Sequence, residues 1–235
     1  MAQETSHTSA SGRGRPPMTE RRKAVVRMEI ARAAVALFVE RGVAGTTGED
    51  IAHSLGISTR TLWRYFPGKE SCVRPLLSTG LDLMAERLRS CPRDVALLDH
   101  LELTGAFDAD TDLVAGPVAD LIWMTGREPG LQAVWLEVHH AAEAVFAGII
   151  AERTGAEPED LDVAVQAAAL NAALRLAAEE QAGYRRTAEE APPGGMGELV
   201  RRAITAAARG LPAFAPATAA GTGRGADASR GVHHG

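Results

Sequence analysis

Residues 46–69, TTGEDIAHSLGISTRTLWRYFPGK, constrain this chain more than any other stretch. Ile51, Ala52 and Leu55 recur at helical spacing, so 47–54 has one apolar face. Thr46 or Thr47 can cap its start, and Glu49 or Asp50 three residues on completes a capping box. Gly56 follows the last apolar position, where left-handed backbone is tolerated. Ser58 can then cap a second helix from Thr59 to about Phe66. On that helix Leu62 and Phe66 are four apart and face Ile51 and Leu55. The spacing therefore predicts a helix, a tight turn and a second short helix.

The outward side of the second helix carries Thr59, Arg60, Trp63 and Arg64, with Tyr65 flanking it. Hydroxyls, guanidinium groups and large aromatics on one short helix suit a groove lined by base edges and phosphates. An ordinary helical hairpin with solvated arginines is the competing reading of the pattern alone.

Further residues around this unit sharpen the choice. Ile30, Ala33, Ala34, Leu37, Phe38, Gly42, Thr46, Thr47, Ile51, Ala52, Gly56, Ser58, Thr61, Leu62, Tyr65, Phe66, Lys69 and Glu70 occur together at their present spacings. Over 30–70, about a fifth of the chain, the sequence resembles the DNA-binding domain of TetR-type transcriptional regulators. The resemblance implies a DNA-contacting set of Thr47, Gly48, Ser58, Thr59, Arg60, Thr61, Trp63, Arg64, Tyr65 and Lys69. Within it, Thr59, Arg60 and Thr61 are candidate base contacts, and Thr47, Trp63, Tyr65 and Lys69 are candidate phosphate contacts. Two positions depart from the pattern. Gly48 replaces an apolar residue and is expected to loosen the helix start, since glycine costs a helix about 1 kcal/mol relative to alanine. Trp63 replaces the usual tyrosine; its indole N–H donates but cannot accept.

Charge is divided along the chain. Residues 1–75 hold 12 Lys and Arg against 7 Asp and Glu, while the remainder holds 13 against 23. A basic first third and an acidic remainder fit one part on DNA and another kept off the polyanion. Aromatics make up only 4 %, and alanine is abundant, which favours closely packed helices. There is no apolar signal segment or long apolar run of spanning length, so a cytoplasmic protein with no membrane partner is expected. Cys72 and Cys91 have no metal-site spacing. One helix between them would place them about 28 Å apart, beyond disulfide reach.

In order, 1–18 is rich in Ser, Thr, Gly and Pro and is expected to be a disordered basic arm. Arg13 and Arg15 lead into Arg21, Arg22, Lys23 and Arg27, either along phosphates or simply in solvent. Thr19 can cap a first helix whose stripe is Val26, Ile30, Ala33, Ala34, Leu37 and Phe38, ended by Gly42. Lys69 would open a fourth helix to about Ser90. Its cation at a helix start is unfavourable unless an anion is near, and the resemblance implies a DNA phosphate there. Further helices are expected over 92–103, 112–125, 128–153, 157–186 and 194–210, and a disordered tail over 212–235. The fold class is thus all-α. A three-helix helix-turn-helix domain (19–68) precedes a helical effector-binding and dimerisation domain (69–211).

Within the second domain, 157–186 is rich in alanine, and 196–207 has apolar residues at three- and four-residue spacing. The resemblance implies that these last two helices pair with their copies as a homodimer. Two reading helices are also needed to bury enough surface for tight specific binding. It further implies a small-molecule cavity lined by Trp123, Met124 and Trp135, with His139 and Asn171 as polar contacts; plain core is the alternative for each. Adjacent His139 and His140 point about 100° apart on a helix and make a poor metal pair. Asp120 and Glu137 either meet a cationic ligand or lie solvated at helix edges. No paired-carboxylate, Ser–His–Asp, phosphate-cradling or metal spacing was found, so neither enzyme nor cofactor is expected. The leading expectation is a repressor released from a palindromic double-stranded DNA operator by a small molecule. The alternative is an effector-independent regulator or activator.

Overall fold

The computed structural model describes residues 19–107, 116–187 and 193–210. The expected disordered ends, with Arg13, Arg15, His233 and His234, lie outside the described residues. Among the described residues there are nine α-helices, one 3-10 turn and no strand.

Helix α1 (Glu20–Arg41) is the brace of the first part, and Gly42 ends it. It buries Ile30, Ala34, Leu37 and Phe38 as the stripe predicts, and also Ala31 and Val35. The extra width arises because α1 is covered from two sides. Helix α2 (Gly48–Ser54) and the 3-10 turn Glu70–Val73 pack on it, as do α4 (Arg74–Arg89) and α6 (Pro117–Thr125). Helix α3 (Thr59–Tyr65) packs on α2.

The expected single helix from Lys69 to Ser90 is broken into the 3-10 turn and α4. Pro75, without an N–H, is tolerated in the first turn of a helix, which is where α4 begins. The expected helix over 92–103 is shortened to α5 (Leu97–Leu103). Its first residues instead form a turn clamped by Arg153, whose guanidinium donates to the carbonyls of Cys91 (3.0 Å), Pro92 (3.1 Å) and Val95 (2.6 Å). Cys72 and Cys91 are both buried and unbridged. Burial pushes the Cys72 thiol up to about 12, so it stays protonated and inert.

Helix α7 (Pro129–Thr154) packs on α4, α6 and α8 (Leu161–Thr187), and α9 (Gly195–Ala208) packs along α8. By length and composition, α7 and α8 reach the mean hydropathy of a membrane span, 1.2 and 1.3, contrary to the sequence expectation. Their polar side chains join them to each other. Trp135 Nε1 donates to Glu179 Oε1 at 2.8 Å, and Asn171 Nδ2 donates to Glu143 Oε1 at 2.9 Å. Such cross-links belong to helices packed in a bundle. One continuous buried cluster runs from Ile30 on α1 through Leu77 and Phe146 to Val200 on α9.

Candidate nucleic-acid interface

The turn leading into α2 is assembled by hydrogen bonds. Thr46, fully buried, donates its hydroxyl to Gly42 O at 2.9 Å and Leu37 O at 3.3 Å. Thr47 caps α2: its Oγ1 accepts from Asp50 N (3.1 Å), and Asp50 Oδ2 accepts from Thr47 N (2.8 Å). The reciprocal pair is the predicted capping box, with Asp50 as the acidic partner. Asp50 Oδ2 also accepts the Thr47 hydroxyl proton at 2.6 Å, and these bonds hold its carboxyl below the usual carboxylate range. The Thr47 hydroxyl, expected at a phosphate, is therefore already donating within the turn.

Lys69 is also engaged within the fold. Its ammonium donates to Val43 O at 2.7 Å and Thr46 O at 2.8 Å. Two carbonyls thus stand beside the ammonium, and the lysine ties the segment after α3 to the turn before α2. The separations of 26 and 23 residues explain why local spacing did not show it.

Gly56 (φ +64°) reverses the chain into α3. Ser58 Oγ accepts from Thr61 N at 3.2 Å and lies 2.9 Å from Thr61 Oγ1, so both residues serve the cap. Leu62 and Phe66 are buried beneath the helix together with Ile51, while Leu55 is half-buried. This inner row holds the opposite row outward. Arg60, Trp63 and Arg64 are exposed, while Thr59, Thr61 and Tyr65 are half-buried. The Arg64 guanidinium lies 5.4 Å from the centre of the Tyr65 ring. Arg21, Arg22 and Arg27 on α1 are also exposed, and Lys23 is paired with Glu20 at 2.6 Å.

The two departures from the family pattern meet in space. Gly48 is buried, and a Cβ there would lie 2.1 Å from Trp63 Cζ2 and 2.3 Å from Cη2. The indole thus lies directly against the Gly48 backbone while remaining 41 % exposed. Gly48 thus makes room for the tryptophan beneath the Thr47 cap. Their joint departure was the signal in the sequence that could have paired them.

The expected effector residues divide. Trp135 and His139 line a mainly apolar cavity of about 70 Å³, along with Leu81, Met84, Arg87, Leu174, Met196 and Val200. Trp123 does not line it; its ring is half-buried under the Arg127 guanidinium at 3.6 Å. Met124 is buried away from the lining. Asn171 stands behind His139, its Oδ1 2.7 Å from Nδ1. Burial, foremost, holds the His139 imidazole below its ordinary pKa, so the neutral ring is favoured. His140 is exposed beside Glu143 (3.4 Å), so the adjacent histidines diverge. Glu137 is exposed and bonded to Arg74. Arg87, Met84 and Met196 were not anticipated, because their helices had no residue pattern distinguishing cavity from core. A larger open cleft, about 1060 Å³, lies between α1, the end of α3, α4 and the start of α7. Its charged lining, including Glu70, Asp82 and Glu86, suits solvent better than an apolar effector.

Comparison with known proteins settles the family. Residues 30–76 match the family described as bacterial regulatory proteins of the tetR family, and 121–212 match the MftR C-terminal domain. The chain belongs to the TetR family. The transcriptional regulator TcmR of Streptomyces glaucescens is 28 % identical over 170 residues, covering 67 % of this chain and 72 % of that protein. The repressor KstR2 of Mycolicibacterium smegmatis is 34 % identical over 98 residues, 42 % of this chain and about half (47 %) of that repressor. In fold, a TetR-family regulator from Mesorhizobium loti superposes with a TM-score of 0.51 at 20 % identity, covering 80 % of this chain and 97 % of its own. This TetR-family member is a DNA-binding transcriptional regulator.

Proposed function

We propose that the protein is a homodimeric repressor that leaves a palindromic operator when a small molecule enters the second part of the chain. The observation that carries the DNA reading is the division of α3. Leu62 is fixed inside, so Arg60, Trp63 and Arg64 stand together in solvent. Arg60 is assigned to a base edge, with Thr59 and Thr61 beside it. Trp63, Arg64 and Tyr65 are assigned to phosphates.

The working division is a reading head at 19–68 and an effector and dimerisation unit at 69–211. On α8, Leu161, Val165 and Leu176 are each more than half exposed, and Ala168 is exposed in the same stripe. A lone subunit has no use for such a face, and a second copy covers it. Two heads then read successive major grooves. Arg74 at the start of α4 pairs with Glu137 on α7, the helix that carries Trp135 and His139. A ligand that widens the cavity favours a different setting of α4 against α7, and through it a different spacing of the heads. As a soluble regulator acting on DNA, the protein is assigned to the cytoplasm, with no catalytic role.

The test is selection of duplexes from a random pool, followed by fluorescence anisotropy on the winner. Arg60→Ala is expected to lose about 1–3 kcal/mol of specific binding and to relax preference at one base pair. An equal loss on random DNA would remove the base-reading role.

A further inference from the structure

The cavity has an unsatisfied wall. His139 is 3 % exposed, and among the described residues its Nε2 is a buried atom without a hydrogen-bond partner. The ring's other nitrogen faces Asn171 on α8, which is not part of the lining, whereas the His139 side chain does line the cavity; a molecule that widens the cavity therefore meets the ring away from Nδ1, on the side that includes Nε2.

The chemistry of that nitrogen follows from its neighbours. Asn171 Nδ2 donates to Glu143 Oε1 at 2.9 Å, which sets the amide so that Oδ1 faces His139. Oδ1 can only accept, so Nδ1 carries the hydrogen and Nε2 keeps a lone pair. Trp135, 4.1 Å away and edge-on, fixes the ring plane. Its own N–H is held by Glu179, and Arg87 donates to Ala106 O at 3.0 Å. A molecule that widens the cavity among Leu77, Leu81, Met84 and Leu174 would therefore uncover a ring nitrogen that can only accept.

We infer that the effector is an apolar molecule bearing a hydroxyl group, a phenol or an alcohol, whose O–H donates to His139 Nε2. This rests on the effector-release reading above. A carbonyl or carboxylate oxygen at that point would set lone pair against lone pair, and an ammonium would share the cavity with Arg87. A hydroxyl satisfies the buried nitrogen without bringing in a charge.

The experiment uses the full chain and two probes of similar size, 4-propylphenol and 4-propyltoluene. Calorimetry is expected to show the phenol binding at least about tenfold more tightly. With 15N-labelled histidine, the phenol shifts the His139 Nε2 resonance and the toluene leaves it in place. His139→Leu is expected to abolish the preference; if that variant does not fold, the resonance in the natural protein decides alone. Equal affinities, no binding of either probe, or a stationary Nε2 would overturn the inference. Anisotropy on the selected operator separates the two claims. Release by a compound that leaves Nε2 unmoved keeps effector control and overturns the hydroxyl class. A shifted Nε2 without release keeps the class and overturns effector control.

Discussion

Gly48 and Trp63 form a pair in which each residue depends on the other. Elsewhere in a helix, Gly→Ala gains up to about 1 kcal/mol. Here the added methyl would sit 2.1 Å from the indole, and overpacking of this kind costs about 1–3 kcal/mol. Gly48→Ala is therefore expected to destabilise the protein by about 1–2 kcal/mol, but to be neutral or stabilising in a Trp63→Ala background. A urea-unfolding double-mutant cycle measures the difference; equal effects in both backgrounds would show that the ring does not depend on the glycine. Other single residues were legible beforehand. The capping box of Thr47 with Asp50, the Ser58 cap and the inward pair Leu62 and Phe66 depend on spacings of three or four. The Gly48–Trp63 contact was not, because it joins positions on two helices across a turn.

Among the elements, α3 owes its position partly to a lysine outside it. Lys69 holds the carbonyls of Val43 and Thr46, so the turn before α2 and the segment after α3 move together. Lys69→Met is expected to cost about 2 kcal/mol in thermal or urea stability. It is also expected to leave the salt dependence of DNA binding unchanged. A slope reduced by about one would instead make Lys69 a phosphate contact. The amphipathic helices of the reading head could be bounded from their patterns. The long helices could be placed but not oriented: α7 and α8 are apolar on several faces, so nothing in their spacing put His139 on the cavity. Arg153 shortened α5 through contacts about 60 residues away in the chain, beyond any local signal.

For the molecule as a whole, the continuous core means that the reading head is not hung on a loose linker. Its position responds to packing around α4 and α7. The proposed dimer belongs to the same scale, because two reading helices bury the surface that tight specific binding needs. Leu176→Glu, in the exposed stripe of α8, is expected to give a monomer by analytical ultracentrifugation with little loss of fold. Operator affinity should fall by more than about tenfold, as one half-site contact is lost. A dimer that persists would move the interface elsewhere. The central claim is that the exposed side of α3 reads duplex DNA. The most direct measurement is the affinity of the purified protein for a selected palindrome and for its scrambled version as salt is raised. The expected result is a preference of about 10³-fold or more for the palindrome, with both affinities falling steeply with salt. Equal affinity for the two duplexes, or binding insensitive to salt, would contradict it.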